Sequence, residues 1–291
     1  MLETELITCP ICSSAQHSIK YRVNSFNIVE CLECEFSYVN PRLTKKALIN
    51  IYENEYFHNT NYGYENYEEN NGLKKKNFSK WIKDAQEWMP KSSGKRVLDI
   101  GCAAGYSLDI YKSFGFVSEG IELDKTMLKH LENTSYKIFD KPILENQYDQ
   151  KYAVISLFDV VEHLTDLDAH FAKFSEIIER KGVLIIVTPN YNSFQRKLKG
   201  RNWFQFKPME HINYFTIDSL NLLAQKHGFK NVKSINSGQF VDSDFIKNRL
   251  NKYNQKSLIL LFSPFLKLIK LLKINLYLDA SSIYCVFIKN N

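Results

Sequence analysis

The sequence lacks an uninterrupted apolar run of the ~20 residues that a membrane-spanning helix needs. Its start, MLETELITCP, has neither the basic nor the apolar segment of a secretory signal peptide, so we expect a cytoplasmic protein. Apolar residues make up 44% and charged residues 24%, which is typical of a folded globular chain and argues against wholesale disorder. In a reducing compartment the six cysteines are expected to bind metal or to pack, rather than to form disulfides.

The sequence also lacks an evenly spread positive charge. The net charge is +6, and the segment from Asp244 to Asn275 alone carries seven basic residues against one acid, so the rest of the chain is neutral overall. Residues 1–45 are slightly acidic, with five acids and four basic residues. A general nucleic-acid-binding surface is therefore not expected.

Four of the cysteines form two Cys-x-x-Cys knuckles near the start. They are Cys9 and Cys12 in CPIC, and Cys31 and Cys34 in CLEC, with 18 residues between the knuckles. Each knuckle points two thiolates at one ion, and two knuckles complete the tetrahedron that Zn²⁺ prefers. We expect a structural zinc ribbon, because four thiolates leave no open position for catalysis.

The pattern divides the chain into four segments. Residues 1–45 form the ribbon, and residues 46–90 are expected to be a helical cover that leads into the core. Residues 91–235 alternate strands with helices, which predicts an α/β fold with a parallel sheet. Residues 236–291 hold a basic amphipathic insertion and a final strand.

Helix boundaries are predicted from capping residues. The cover is expected to contain a helix in ALINIYENEYF, which starts at residue 47, and a second one in FSKWIKDAQEW. The helix after FDVVEHL is expected to begin at a capping pair of Thr165 and Asp168 and to end at Gly182. A later helix should begin at Thr216 and stop at Gly228.

A glycine-bearing turn follows the first strand of the core. In VLDIGCAAGYS, Gly101 and Gly105 allow close approach of a ligand, and the following helix start favours an anionic group. Asp99 precedes the first glycine, and the Gly-x-Gly-x-x-Gly triplet of dinucleotide-binding turns is missing; Cys102 is expected to pack within the turn. Glu122 ends the next strand, 17 residues beyond Gly105, where a carboxylate can accept hydrogen bonds from ribose hydroxyls.

These residues resemble the class I S-adenosylmethionine-dependent methyltransferases. The residues that carry this resemblance are the glycine turn, Glu122, FDVVEHL and the strand end VTPN. The resemblance covers roughly residues 95–235. The whole chain also resembles the branch of these methyltransferases that joins a zinc ribbon to this core. The motifs that carry this resemblance are CPIC, CLEC, NPRLT, IYENEYF, DVVEHL and EHINYFT. The resemblance implies a Rossmann-like, seven-stranded α/β sheet and acceptors such as sugars, polyketides or cell-surface glycan precursors.

The resemblance also implies where S-adenosylmethionine binds. Asp99 and Gly101 would lie along its amino-acid part, Glu122 would hold the ribose, and Phe158 with Asp159 would line the sulfonium end. The complete set of expected cofactor-binding positions is Asp99, Gly101, Cys102, Gly105, Glu122, Leu123, Phe158, Asp159 and Val160.

The segment FDVVEHL places titratable groups at the expected carboxyl edge of the sheet, where ligands of parallel sheets bind. His163, or His211 after the next strand, is a candidate general base for an acceptor hydroxyl. Alternatively Asp159, Glu162, His163 and His211 form a Mg²⁺ site, a pattern that resembles small-RNA 2′-O-methyltransferases and ubiquinone-pathway O-methyltransferases. A third interpretation is that Glu162 and His163 only cap a helix or bind backbone.

The basic segment near the end is predicted to be an amphipathic helix. Only ten residues, Ser257 to Leu266, pass without a charge, so a membrane span is not expected. Lys267, Lys270 and Lys273 fall within one third of a helical wheel. The helix either covers the sheet or forms a homodimer contact, or it rests on an anionic membrane surface.

The leading functional hypothesis is a methyltransferase that acts on an oxygen of a saccharide or related small molecule. The acceptor is either free or lipid-linked, and a lipid-linked acceptor would place the enzyme at the inner face of the membrane. RNA methylation is an alternative, since zinc ribbons also precede some ribosomal RNA methyltransferases, but nucleic acid is disfavoured by the acidic ribbon. A non-catalytic, cofactor-binding partner subunit is the third hypothesis.

Overall fold

The computed structural model describes residues 3–44, 46–47, 71–90, 94–252 and 256–290. Its strands are β1 (Thr4–Glu5), β2 (His17–Val23), β3 (Phe26–Cys31), β4 (Ser37–Val39), β5 (Arg42–Leu43), β6 (Arg96–Ile100), β7 (Val117–Ile121), β8 (Lys137–Phe139), β9 (Tyr152–Phe158), β10 (Ile178–Pro189), β11 (Asn213–Tyr214), β12 (Phe229–Val241) and β13 (Leu276–Lys289). Its α-helices are α1 (Asn71–Asp84), α2 (Tyr106–Ser113), α3 (Lys125–Leu131), α4 (Leu167–Ile177), α5 (Phe194–Lys199), α6 (Ile217–Lys226), α7 (Ser243–Lys252) and α8 (Lys256–Leu271). The helix expected in ALINIYENEYF falls, beyond residue 47, outside the described residues.

The central sheet has seven strands in the order β12-β13-β10-β9-β6-β7-β8. Strands β6 to β10 pair in parallel, whereas β13 is antiparallel to both β10 and β12. Every residue of β9 is buried, which explains its continuous apolar run. The Rossmann-like α/β sheet expected from the resemblance is confirmed, and its order reverses between β6 and β9, where ligands of such sheets bind.

The N-terminal segment shares a sheet with the core. This second sheet has the order β11-β4-β3-β2, and β11 comes from residues that follow β10 in the core. The Phe36 ring also lies 5.2 Å from the Phe215 ring, in one continuous hydrophobic cluster. The sheet formed by β2, β3 and β4 is therefore completed by two residues about 175 positions later in the chain.

Two predicted boundaries of α4 are wrong. The cap is Asp166, whose carboxylate accepts from the Ala169 N–H at 3.0 Å, while Asp168 forms ion pairs with Lys226 and His227. The helix ends at Ile177, because the chain enters β10 at Ile178 and turns through Lys181 at φ 59° before Gly182. The start of α6 at Thr216 is confirmed, with a capping box to Ser219.

Helix α1 lies against the strands of the sheet. The Trp81 indole N–H donates to the Ser237 hydroxyl at 2.9 Å, and the Tyr284 hydroxyl donates to the Trp81 carbonyl at 2.9 Å. Within the part of the chain that the structure describes, no helix is both long and apolar enough to cross a bilayer.

Candidate active site

The glycine turn between β6 and α2 is shaped by three residues with positive φ. Gly101 has φ 72°, Ala103 φ 46° and Gly105 φ 79°. A Cβ on Gly101 would lie 2.6 Å from Cγ2 of Val160, so the turn packs directly on the segment that follows β9. Only glycine fits this position, and the turn is therefore a backbone cradle at the carboxyl edge of the sheet.

Glu122 faces the same cradle from the end of β7. Its carboxylate accepts backbone N–H groups of Ala103 at 2.8 Å, Leu123 at 2.7 Å and Asp124 at 2.8 Å. Burial raises its pKa, while these three bonds favour the ionised form. The carboxylate is therefore fixed beside the turn, and its contact with a ribose stays a prediction.

Asp99 and Cys102 lie beneath the turn. The Asp99 carboxylate is 2% exposed and accepts from the hydroxyls of Ser107 and Ser156. Burial raises its pKa to about 7. Cys102 is 3% exposed and packs with Leu108 in a small apolar cluster. A direct contact of either side chain with the cofactor stays a prediction.

Aromatic rings line the end of β9. The Phe158 ring stacks on Trp81 with 5.5 Å between centroids and meets Phe78 edge-on at 5.3 Å. Next to it, Asp159 has φ 56°, and burial raises its pKa to about 6. Sequence reasoning missed the two α1 rings, which lie far from any motif; Leu123, on the other side of the cradle, is 49% exposed.

The structure brings together three of the four residues proposed to hold an ion. A carboxylate oxygen of Glu162 and one ring nitrogen each of His163 and His211 lie within 4.8 Å of one another. Asp159 is not in this group. Glu162 is 1% exposed, and its Oε2 accepts from the Thr188 hydroxyl at 2.8 Å. Its Oε1 has no hydrogen-bond partner among the described residues and lies 4.0 Å from Nε2 of His163. A buried, unsatisfied carboxylate oxygen costs folding free energy and marks a place for a ligand.

Both histidines are oriented by backbone carbonyls. Nδ1 of His163 bonds to the Glu210 carbonyl at 3.0 Å, and Nδ1 of His211 bonds to the Gln205 carbonyl at 3.0 Å. The rings lie 4.9 Å apart, nearly perpendicular. A neutral imidazole that donates through Nδ1 carries its lone pair on Nε2, which is the arrangement usual for metal-binding histidines.

Burial disfavours charge on each member of this cluster. Burial raises the pKa of Glu162 well above its ordinary value and lowers that of His163 to about 4. Burial also lowers the pKa of His211, and the nearby Lys207 ammonium acts in the same direction on both imidazoles. The Lys207 ammonium lies 3.8 Å from the Glu210 carboxylate.

The ribbon holds the loop that carries His211. Asn213 pairs with Tyr38 and Tyr214 with Ser37, and the Val39 N–H donates to the Ile212 carbonyl at 2.9 Å. From the core side, the Ile212 N–H donates to the Glu162 carbonyl at 3.1 Å. His211 is thus fixed between the ribbon sheet and the segment that carries Glu162 and His163.

The four knuckle cysteines converge as their spacing predicts. Sγ of Cys9 lies 3.5 Å from Sγ of Cys34, and Sγ of Cys12 lies 3.4 Å from Sγ of Cys31. All four sulfurs lie within 4.8 Å of one another. With Zn–S bonds of ~2.3 Å, this geometry is compatible with one tetrahedral zinc ion.

A family model described as a methyltransferase domain matches residues 57–234. The chain belongs to the methyltransferase-domain family. With the seven-stranded sheet and the glycine cradle, its core is that of a class I S-adenosylmethionine-dependent methyltransferase, as the resemblance implied.

Curated relatives of this methyltransferase match it over part of their length. It is similar to the ubiquinone biosynthesis O-methyltransferase of Rhodopseudomonas palustris (strain TIE-1), with 25% identity over 118 residues, 38% of this chain and 47% of that protein. A protein of the same name from a Bradyrhizobium species is 22% identical over 156 residues, 47% of this chain and 62% of its own. The chain spans about half the length of the curated relatives it matches.

Solved structures share the fold. A SAM-dependent methyltransferase from Archaeoglobus fulgidus aligns with a TM-score of 0.50 at 18% identity, over 74% of this chain and 94% of that one. An S-adenosylmethionine-dependent methyltransferase from Clostridium acetobutylicum aligns with a TM-score of 0.50 at 12% identity, over 75% and 92%. At these identities the likeness concerns the fold alone.

Proposed function

We propose that the protein transfers the methyl group of S-adenosylmethionine to an oxygen of a saccharide or related small molecule, with a divalent ion bound by Glu162, His163 and His211. The observation that carries this proposal is the buried Oε1 of Glu162, which lacks a partner among the described residues and faces two imidazoles oriented through Nδ1. Relatives named O-methyltransferases support oxygen as the acceptor atom.

The donor set favours a transition-metal ion over Mg²⁺, which was one alternative drawn from the sequence. Two imidazole nitrogens and one carboxylate oxygen suit Mn²⁺, Fe²⁺ or Zn²⁺, whereas Mg²⁺ prefers oxygen ligands alone. Three protein ligands leave positions open for acceptor oxygens. When bound, the ion would acidify an acceptor hydroxyl and fix its position, which suits neighbouring hydroxyls on a sugar or ring.

The other residues would position the two substrates. The glycine cradle and Glu122 would hold S-adenosylmethionine, and the aromatic end of β9 would exclude water near its sulfonium group. Thr188 holds Glu162 in place by its hydroxyl bond. The four cysteines would hold a structural zinc ion, and the ribbon would keep the His211 loop in register through β11.

The proposal extends to the place of action. A lipid-linked saccharide is an acceptor of suitable chemistry, and it would bring the enzyme from the cytoplasm to the inner face of the membrane. RNA is a weaker candidate acceptor, because the ribbon that would approach it is slightly acidic.

Transfer of labelled methyl groups from S-adenosylmethionine to a panel of glycan precursors, catechols and RNA tests this proposal. We expect label on a hydroxylated small molecule, loss of turnover in EDTA with the ribbon zinc retained, and recovery with Mn²⁺. Turnover that is insensitive to EDTA, together with full activity of His211→Ala, would contradict the ion site. Label on RNA alone would contradict the acceptor class, and cofactor binding without any transfer would indicate a non-catalytic subunit.

A further inference from the structure

Helix α8 presents an unusually apolar surface to solvent. Leu260 and Leu271 are each 79% exposed, and Leu261 is 69% exposed. The α8 face comprises seven large apolar side chains, each 47% to 79% exposed: Leu260, Leu261, Phe262, Phe265, Leu268, Leu271 and Leu272. The largest apolar patch on a typical soluble monomer covers only about 300–600 Å², and larger ones mark interaction surfaces.

The most exposed of these residues lie opposite the buried side of the helix. Helix α8 packs against α7, and its buried side carries Leu266 and Ile269, which are 7% and 3% exposed. At ~100° per residue, the mean direction of Leu260, Leu268 and Leu271 points about 180° away from this packed side. Among the described residues, the outer side therefore stays open to solvent.

The charge around the α8 face has one sign. Residues 256–275 contain no Asp or Glu, and Lys267, Lys270 and Lys273 are exposed along the helix. Lys270 reaches Asp244 of α7 at 2.9 Å, an exposed pair that water and salt weaken. Apolar side chains bordered by lysines complement a surface that is apolar below and anionic above, as a bilayer with acidic headgroups is.

Helix α5 is a second apolar and basic element. Helix α5 exposes Phe194 by 73% and Leu198 by 72%, and residues 196–201 include four basic side chains. A cavity of about 280 Å³ lies between α5, α7 and the start of β13. Its walls combine Phe204, Phe245 and Leu278 with the cationic Lys199 and Arg249.

We propose that the α8 face lies in the plane of an anionic lipid surface. A second copy of the chain fits less well, because a symmetric contact would set lysines against lysines with no carboxylate in either α8 segment. The 16-residue helix, interrupted by Pro264, rests on a bilayer rather than crossing it. Flotation does not require methyl transfer, so failure of this inference and failure of the proposed activity are distinguishable.

Vesicle flotation of the full chain tests this inference. We expect the protein to float with vesicles of phosphatidylcholine and phosphatidylglycerol in equal amounts, and not with phosphatidylcholine alone. Leu260→Gln/Leu271→Gln should lower the partition coefficient at least tenfold without loss of fold, because both side chains are already largely exposed. The matched control is Leu6→Gln/Leu222→Gln, two exposed leucines elsewhere, which should float like the wild type.

Three results would overturn the inference. They are failure to float with anionic vesicles, equal flotation with neutral vesicles, and unchanged flotation of the Leu260 and Leu271 variant. Sedimentation of the protein alone gives an independent check: a dimer that this variant dissociates would assign the α8 face to a second copy instead.

Discussion

Replacing Glu162 with Gln should separate the stability of the protein from its ion binding. The Gln side chain can still accept from the Thr188 hydroxyl, while its amide N–H groups can donate toward Nε2 of His163, which lies 4.0 Å from Oε1. An unsatisfied buried polar group costs about 1–3 kcal/mol. Because 1 kcal/mol shifts Tm by roughly 2–4 °C in a chain of this size, the ion-free variant should melt several degrees above the ion-free wild type.

With Mn²⁺ bound, the order of the melting temperatures should reverse, and the wild type should melt above the variant. An ion present at a hundred times its Kd stabilises the wild type by about 2.7 kcal/mol, whereas the variant, which lacks the anionic ligand, should gain little. Differential scanning fluorimetry with the ribbon zinc retained measures both effects. Glu210→Gln is the matched control, a buried carboxylate in the same region outside the three-residue cluster, and it should keep the Mn²⁺ response. An ion-free Glu162→Gln protein that melts below the wild type and still responds to Mn²⁺ would refute the reasoning.

Three further predictions concern the ribbon and the cofactor cradle. Cys12→Ser/Cys34→Ser should weaken Mn²⁺ binding by Glu162, His163 and His211 about 10–100-fold, because β4 holds β11 and this is the loss typical when the support of a metal ligand is removed. Electron paramagnetic resonance titration measures this affinity, and full affinity in a folded variant would contradict the prediction. Gly101→Ala should weaken S-adenosylhomocysteine binding about tenfold or more in calorimetry. A residue with a side chain loses about 1–2 kcal/mol in a left-handed backbone conformation, and the new Cβ would lie 2.6 Å from Val160. Unchanged affinity would contradict the role of the glycine turn. The pKa of Asp99 in the folded protein is about 7, above its ordinary value, so ionisation of this carboxyl destabilises the fold as pH rises. Between pH 4 and pH 7 the free energy of unfolding of the wild type should fall by up to about 4 kcal/mol relative to Asp99→Asn. Urea unfolding of both proteins measures this difference, and parallel pH profiles would contradict it.

Features that follow from the alternation of strands and helices were predictable from the sequence. The ends of β6, β9 and β10 must share one edge of a parallel sheet, so the glycine turn, FDVVEHL and the segment after β10 were expected to meet there. Convergence of His163 and His211 follows from the same rule. The two cysteine knuckles are also local signals, since each is contained in four residues.

Features that depend on distant contacts were not predictable. Strand β11 has only two residues, and its pairing with β4 joins positions more than 170 residues apart, which no local propensity encodes. The stacking of Trp81 on Phe158 likewise depends on where α1 lies. Asp159 lies outside the ion cluster and has a positive φ, and the sequence pattern indicates neither feature.

A crystal of the full chain grown with S-adenosylhomocysteine and Mn²⁺, measured at the manganese absorption edge, tests the ion site most directly. We predict one anomalous peak about 2.1 Å from a Glu162 oxygen and from Nε2 of both His163 and His211, with the cofactor's sulfur near the aromatic end of β9. A map with cofactor bound beside Glu122 and no anomalous peak among these three side chains would contradict the proposed ion site.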